Sequence, residues 1–237
     1  LESNYKVLVC VTAQHRKLLD QVLDIFSIKV DFDLDIMKDN QSLADLTSNI
    51  ILKLSEVIRN ENPDLVLVHG DTTTTMTASL ASFYESIPVG HVEAGLRTND
   101  LSAPFPEELN RQLVSRIAQF HFAPTNVAKN NLILEGVDKS RIFVTGNTVI
   151  DSLYNSLNFA RQDQINQQIK EIIPLIDLEE SKQKIILVTG HRRENFGIRI
   201  ENIFKALLKI AKEQKDCLII YPLHLNPNVM EPAKRML

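Results

Sequence analysis

The chain has 237 residues, 44% of them hydrophobic, a formal net charge of −4 and two cysteines. That is enough apolar material for a buried core, yet no stretch approaches the ~20 apolar residues of a membrane helix. The acidic balance argues against a nucleic-acid surface, which needs a basic patch. Cys10 and Cys217 lie in apolar runs, are too few for a disulfide framework, and read as buried thiols of a reducing compartment.

The first expected element is a strand over 6–12 with almost nothing before it, followed by helices over 16–26 and 42–59. Strands at 65–69, 88–93, 120–123 and 142–144 then alternate with helices at 73–85, 106–118, 127–135 and 149–160. Runs such as Leu65-Val66-Leu67-Val68 are continuously apolar, as suits strands buried on both sides. A polar stretch carrying Pro174 breaks the alternation. It marks a linker at 162–183 between a first domain, 1–161, and the start of a second, 184–237. The second domain opens with a strand at 185–189, a helix at 199–212 and a strand at 218–221. The chain ends in an uncapped helical pattern at 230–237, so it reads as a fragment at both ends. The alternation predicts an α/β fold of Rossmann-like parallel sheets with helices on both faces.

Ligands of open parallel sheets bind at the carboxyl ends of the strands, so the residues after each strand carry the search for chemistry. After the second expected strand, His69-Gly70-Asp71-Thr72 places a carboxylate at a helix start, where it serves either as an N-cap or as a reacting group. After the third, Glu93-Ala94-Gly95-Leu96-Arg97 places a second carboxylate, which needs either a ligand or a partner, and Arg97 is in reach as a structural partner. Pro106-Glu107-Glu108 opens a helix, and both glutamates suit its dipole. His121, inside an apolar run, reads as a core histidine. Gly190-His191-Arg192-Arg193-Glu194 follows the first strand of the second domain and makes an anion cradle at a helix N-terminus. His224 faces the same region or caps the helix at Asn226. The chain carries no dinucleotide fingerprint, no P-loop, no zinc-ligand spacing and no nucleophile elbow.

These runs, with Gly90-His91-Val92-Glu93-Ala94-Gly95-Leu96-Arg97-Thr98, Val144-Thr145-Gly146-Asn147-Thr148-Val149-Ile150-Asp151 and Pro222-Leu223-His224-Leu225-Asn226-Pro227, closely resemble the bacterial non-hydrolysing UDP-N-acetylglucosamine 2-epimerases. The resemblance covers nearly the whole chain. It implies two Rossmann-like domains arranged as in the B-type glycosyltransferases, in a cytoplasmic homodimer that makes UDP-N-acetylmannosamine for surface polysaccharide. It implies catalytic roles for Asp71, Glu93, Glu107 and His191, and substrate contacts from Arg97, Asn147, Arg192 and Glu194. A second UDP-N-acetylglucosamine activates bacterial members, and Gln14, His15, Arg192 and His224 match motifs linked to that effect. Two family features are unmatched: a first strand with a Gly-Thr-Arg-Pro-Glu type loop, and a later Ser-Gly-Gly segment with a glutamate that grips phosphate and ribose. The chain alone is therefore expected to be inactive or nearly so.

The implied reaction needs carboxylates beside a developing sugar cation, a base and an acid on opposite faces of C2, and cations at a leaving diphosphate. It requires no redox cofactor and no metal. Two rival enzymes share the architecture. A glycosyltransferase needs only one base, and a hydrolysing epimerase does not call for the Gly190–Glu194 run.

Overall fold

The computed structural model describes residues 4–12, 16–36, 41–160, 171, 184–190, 195–224 and 226–237. The chain divides into two compact units, Leu1–Leu153 and Tyr154–Leu237. The linker expected at 162–183 lies outside the described residues apart from Glu171.

The first unit begins with β1 (Cys10–Val11), α1 (Arg16–Ile25) and β2 (Phe32–Asp33), the two strands pairing in parallel with Cys10 opposite Phe32. Of the strand expected over 6–12, Cys10 and Val11 form the ladder, and backbone bonds to the Val9 and Thr12 carbonyls extend the contact on either side. β2 was not expected. Leu34 and Ile36 beyond it are buried in the main core.

The helix α2 (Leu43–Glu61) starts in a capping box, Ser42 with Asp45, and ends at Asn62 in the left-handed conformation. Its Leu46, Ile50, Leu54 and Ile58 recur every four residues and are all buried. Each contributes roughly 1.5–3 kcal/mol by leaving water. Next come β3 (Val66–His69) and α3 (Thr73–Tyr84). Threonines and serines are modest helix formers, and here they serve packing. Thr77, Ser79 and Ser82 are fully buried, and the two serine hydroxyls donate back to Thr75 and Ala78 carbonyls.

The rest of the unit follows as β4 (Val89–Val92), α4 (Glu107–Ile117), β5 (Phe120–Ala123), α5 (Asn126–Leu134), β6 (Ile142–Val144) and α6 (Thr148–Ala160), whose last residues belong to the second unit. The strands β3, β4, β5 and β6 form one parallel sheet in that spatial order. All four therefore end on the same edge, and His69, Glu93 and the residues after β5 and β6 gather there.

In the second unit β7 (Lys184–Leu187) pairs in parallel with β8 (Cys217–Ile220). The helices α7 (Ile198–Glu213) and α8 (Pro227–Met236) meet in a small core of Ile200, Phe204, Val229 and Ala233. The fold is α/β with parallel sheets, as the alternation of the sequence predicts. Among the described residues no helix is long and apolar enough to cross a membrane.

Candidate functional site

The site is built at the carboxyl ends of β3 and β4. Gly70 follows β3 at φ +74°, a backbone state that favours glycine, and turns the chain so that Asp71 leaves the strand edge. Thr72, not Asp71, caps α3, its hydroxyl accepting the Thr75 N–H. The capping alternative for Asp71 is thereby removed. Its carboxylate Oδ2 instead accepts from Arg111 Nε at 2.9 Å and lies 2.7 Å from Nη2.

Glu93 follows β4 and adopts φ +66°, an uncommon state for a residue with a side chain. Strain of this kind clusters where the surrounding structure fixes a functional group. Arg111 supplies that fixation. Its Nη1 donates to the Glu93 carbonyl at 2.7 Å and its Nη2 to Glu93 Oε1 at 2.6 Å. One nitrogen, Nη2, therefore holds an oxygen of each carboxylate. Arg111 is 8% exposed, against 30% for Asp71 and 19% for Glu93, so the cation lies beneath and the anions face outward. Asn110, the preceding residue of α4, donates to the Asp71 carbonyl at 2.8 Å. His69 Nε2 stands 3.8 Å from Glu93 Oε2 and 3.3 Å from the Thr148 hydroxyl.

The two glutamates that open α4 separate cleanly. Glu108 is 1% exposed and accepts the Thr98 N–H at 2.9 Å, the Asn99 N–H at 3.2 Å and the Gln112 amide at 3.0 Å. Burial pushes its carboxyl up, but these donors and the Arg97 charge outweigh it and hold it below the usual carboxylate range. Glu108 pins the loop before α4. Glu107 is half-buried, and its carboxylate makes no ion pair or hydrogen bond with any described residue. It stands one helical turn before Arg111, on the same side of α4.

Arg97 does not join the cluster, and the structural Glu93–Arg97 pair, the alternative to a ligand at Glu93, is not formed. Gly95 at φ +87° turns the chain toward α5, and a Cβ there would lie 2.2 Å from the Ala128 carbonyl. Arg97 consequently makes a two-pronged pair with Glu135, at 2.6 and 2.9 Å, and donates to Ser115 Oγ at 2.6 Å. Its side chain is 1% exposed and ties the loop to the helices. Asn147 Oδ1 accepts the Val149 N–H at 3.0 Å and caps α6. In the second unit, His224 Nδ1 accepts the Asn226 N–H at 3.1 Å at the start of α8. His191, Arg192, Glu194, Gln14 and His15 lie outside the described residues. His121 is buried, as expected of a core histidine.

Arg111 is the central residue that sequence reasoning missed. Its signal was a charged residue four positions after Glu107, on a helix whose polar face had no evident reason to be polar. An apolar depression of about 440 Å³ in the second unit, lined by Leu207, Ile219, Tyr221 and Leu223, holds no carboxylate and is not the candidate site.

Residues 1–237 match a family model described as UDP-N-acetylglucosamine 2-epimerase. The UDP-N-acetylglucosamine 2-epimerase of Neisseria meningitidis is 53% identical over 229 residues, which are 97% of this chain and 61% of that protein. The enzyme of Escherichia coli K12 is 52% identical over 234 residues, 98% and 61% respectively. A crystal structure of the Neisseria enzyme bound to UDP-GlcNAc superposes with a TM-score of 0.94 at 51% identity, over 100% of this chain and 63% of that one. The chain thus spans about three fifths of the length of these relatives.

Proposed function

The chain belongs to the UDP-N-acetylglucosamine 2-epimerase family, and on that premise we propose that its Asp71, Glu93 and Glu107 carry the acid–base chemistry of C2 epimerisation. The substrate is UDP-N-acetylglucosamine, the product UDP-N-acetylmannosamine, and the mechanism elimination and re-addition of UDP. One observation carries the reading: two carboxylates fixed on one buried guanidinium, with a third, unpaired among the described residues, one turn before that arginine on its helix.

The C2 hydrogen is not next to a carbonyl, so removing it first would leave an unstabilised carbanion. Departure of UDP from C1 builds positive charge on the ring and makes that hydrogen acidic. A carboxylate takes the proton as the C1–O bond breaks, giving 2-acetamidoglucal and bound UDP. Return of a proton to the other face of C2, with a UDP oxygen rejoining C1, gives the epimer. Atoms balance, and no electrons are gained or lost.

Each carboxylate about 4 Å from the developing cation contributes roughly 4 kcal/mol at an effective dielectric of 20. A base and an acid each add ~10²–10⁴-fold. Asp71 and Glu93, whose inner oxygens are held by Arg111, present their remaining oxygens as fixed acceptors. Glu107, whose carboxylate has no partner among the described residues, completes the acid–base set. His191 and Arg192 are assigned to the leaving diphosphate on the family resemblance, as are Asn147 and Glu194 to substrate contact. Homodimer formation, a cytoplasmic location and a polysaccharide role, together with activation by a second substrate molecule through Gln14, His15 and His224, rest on that resemblance alone. The domain limits 1–161 and 184–237 rest on the polar break at 162–183 in the sequence. On the family resemblance the 237 residues alone turn over slowly or not at all. Robust turnover by the purified chain would refute that while strengthening the epimerase assignment.

The test is incubation of the full natural chain with UDP-N-acetylglucosamine in D2O, followed by proton NMR. Deuterium enters C2 and UDP-N-acetylmannosamine forms, and Asp71→Asn abolishes both. Release of free sugar and UDP would instead indicate hydrolysis, and transfer to an added acceptor would indicate a transferase.

A further inference from the structure

His91 occupies β4 with no exposed surface, between Val68 of β3 and His121 of β5. Its Nε2 lies 2.7 Å from the Gly70 carbonyl oxygen. A carbonyl only accepts, so Nε2 carries the hydrogen and Nδ1 the lone pair. That Nδ1 is buried with no hydrogen-bond partner among the described residues. An unpartnered buried acceptor is unfavourable, and a leucine or phenylalanine would fill the space without it. Packing alone does not account for the ring.

The bond is aimed at the peptide that presents Asp71. The Gly70 N–H donates to the Val92 carbonyl at 3.0 Å and its carbonyl accepts from His91, while the Asp71 carbonyl accepts from Asn110. Glycine tolerates many backbone states, and nothing crowds the place of a Cβ at Gly70 within 4 Å. His91 supplies the hydrogen bond to the Gly70 carbonyl, so without it that end of the peptide keeps only the Gly70 N–H and Asp71 carbonyl bonds, and the angle at which Asp71 meets Arg111 is less closely fixed.

We propose that His91 is a positioning residue of the carboxylate site, fixing through Gly70 the peptide from which Asp71 reaches Arg111 and the sugar. The proposal rests on the epimerase reading. Burial pushes the imidazole down to about 3, with Arg111, His121 and Arg97 adding to the effect and the Gly70 bond opposing it. The ring therefore donates a hydrogen bond without placing a second cation behind Asp71.

The experiment compares His91→Gln with His91→Asn in the full natural chain. The glutamine amide nitrogen reaches the place of Nε2, and the asparagine amide stops near Nδ1, although both bury the same group. His91→Gln keeps kcat for deuterium entry at C2 within about threefold. His91→Asn loses about 10–100-fold in kcat, as sub-ångström to ångström misplacement does, with KM and Tm matching those of His91→Gln. Equal kcat values in the two variants, or losses that track Tm in both, would overturn the proposal. Should neither variant fold, Gly70→Ala perturbs the same peptide from its other end. It lowers kcat about tenfold at constant KM, and an unchanged kcat there would overturn the proposal too. Crystal structures of the variants keep the test independent of turnover. The Asp71–Arg111 bond persists in His91→Gln and is lost in His91→Asn, and its survival in His91→Asn counts against His91. A wild-type chain that exchanges nothing at C2 counts against the epimerase reading instead.

Discussion

The helices α2 and α4 both pack on α3, yet they bury opposite kinds of side chain. α2 turns Leu46, Ile50, Leu54 and Ile58 inward. α4 turns Glu108, Asn110, Arg111 and Ser115 inward with Val114, and leaves Leu109 and Leu113 40% and 41% exposed. Burying charge is unfavourable unless it is paired and hydrogen-bonded, and on α4 each buried charge is: Arg111 with Asp71 and Glu93, Glu108 with two backbone N–H groups. The difference separates a helix that stabilises the unit from one whose inner face is a polar site at the strand ends.

Removing the cation at the centre of that site should give the largest effect. Arg111→Met leaves two carboxylates side by side without their partner. Breaking one side of a buried ion pair costs roughly 3–5 kcal/mol, and loss of the carboxylate geometry lowers C2 exchange by at least about 10²-fold. Urea unfolding and the NMR assay measure the two losses. Near-normal turnover in Arg111→Met would mean that α4 is polar for some reason other than positioning Asp71 and Glu93.

Next in size is the separation of the two adjacent glutamates. Glu107→Gln lowers kcat by roughly 10²–10⁴-fold, the range for loss of an acid–base group, and leaves the urea midpoint unchanged. Glu108→Gln does the reverse. It keeps most of the rate but destabilises by about 1–3 kcal/mol, because buried N–H groups lose a charged acceptor. A common phenotype for both variants would erase the distinction between the site face and the anchoring face of α4.

Half of this contrast was legible in the sequence. The strands at 120–123 and 142–144 appear at their expected limits because they are short apolar runs bounded by turn residues. Asp71 and Glu93 were found because parallel strands all deliver their following residues to one edge. Their partner was not, because Arg111 lies 40 residues after Asp71 and the pairing exists only once α4 is laid beneath the strand ends. Arg97 misled by proximity. It lies four residues after Glu93, but the positive φ values at Glu93 and Gly95 send it to Glu135. β2 was missed although Ile28, Val30, Phe32, Leu34 and Ile36 alternate with polar residues, since Asp31, Asp33 and Asp35 are poor strand formers.

Acid should test the buried polar face before the apolar one. Burial pushes His91 down to about 3 and His121 to about 4, from about 6.5 in the unfolded chain. Their folded values lie below the unfolded ones, so the unfolded state binds more protons between pH 6.5 and 4. The contribution of the neutral rings is fully present above pH 6.5 and declines as pH falls. Tm should drop between pH 6.5 and 5, before most carboxylates titrate, and His91→Gln should flatten part of that slope. A flat wild-type Tm across this window would show that the rings do not stay neutral on burial.

The smallest effect belongs to the outer face of α4. Ile50→Ala in α2 removes a fully buried side chain and costs roughly 2–5 kcal/mol. Leu113→Gln replaces an apolar residue with a polar one of near-equal helix propensity on a surface 41% exposed, so stability should change by no more than about 0.5 kcal/mol. Loss of an apolar side chain is severe on the inward face of α2 and silent on the outer face of α4, because the inward face of α4 is already occupied by charge. A loss above about 1 kcal/mol for Leu113→Gln would mean that a partner surface covers this stripe in solution, and sedimentation of the variant beside the wild type would then reveal it.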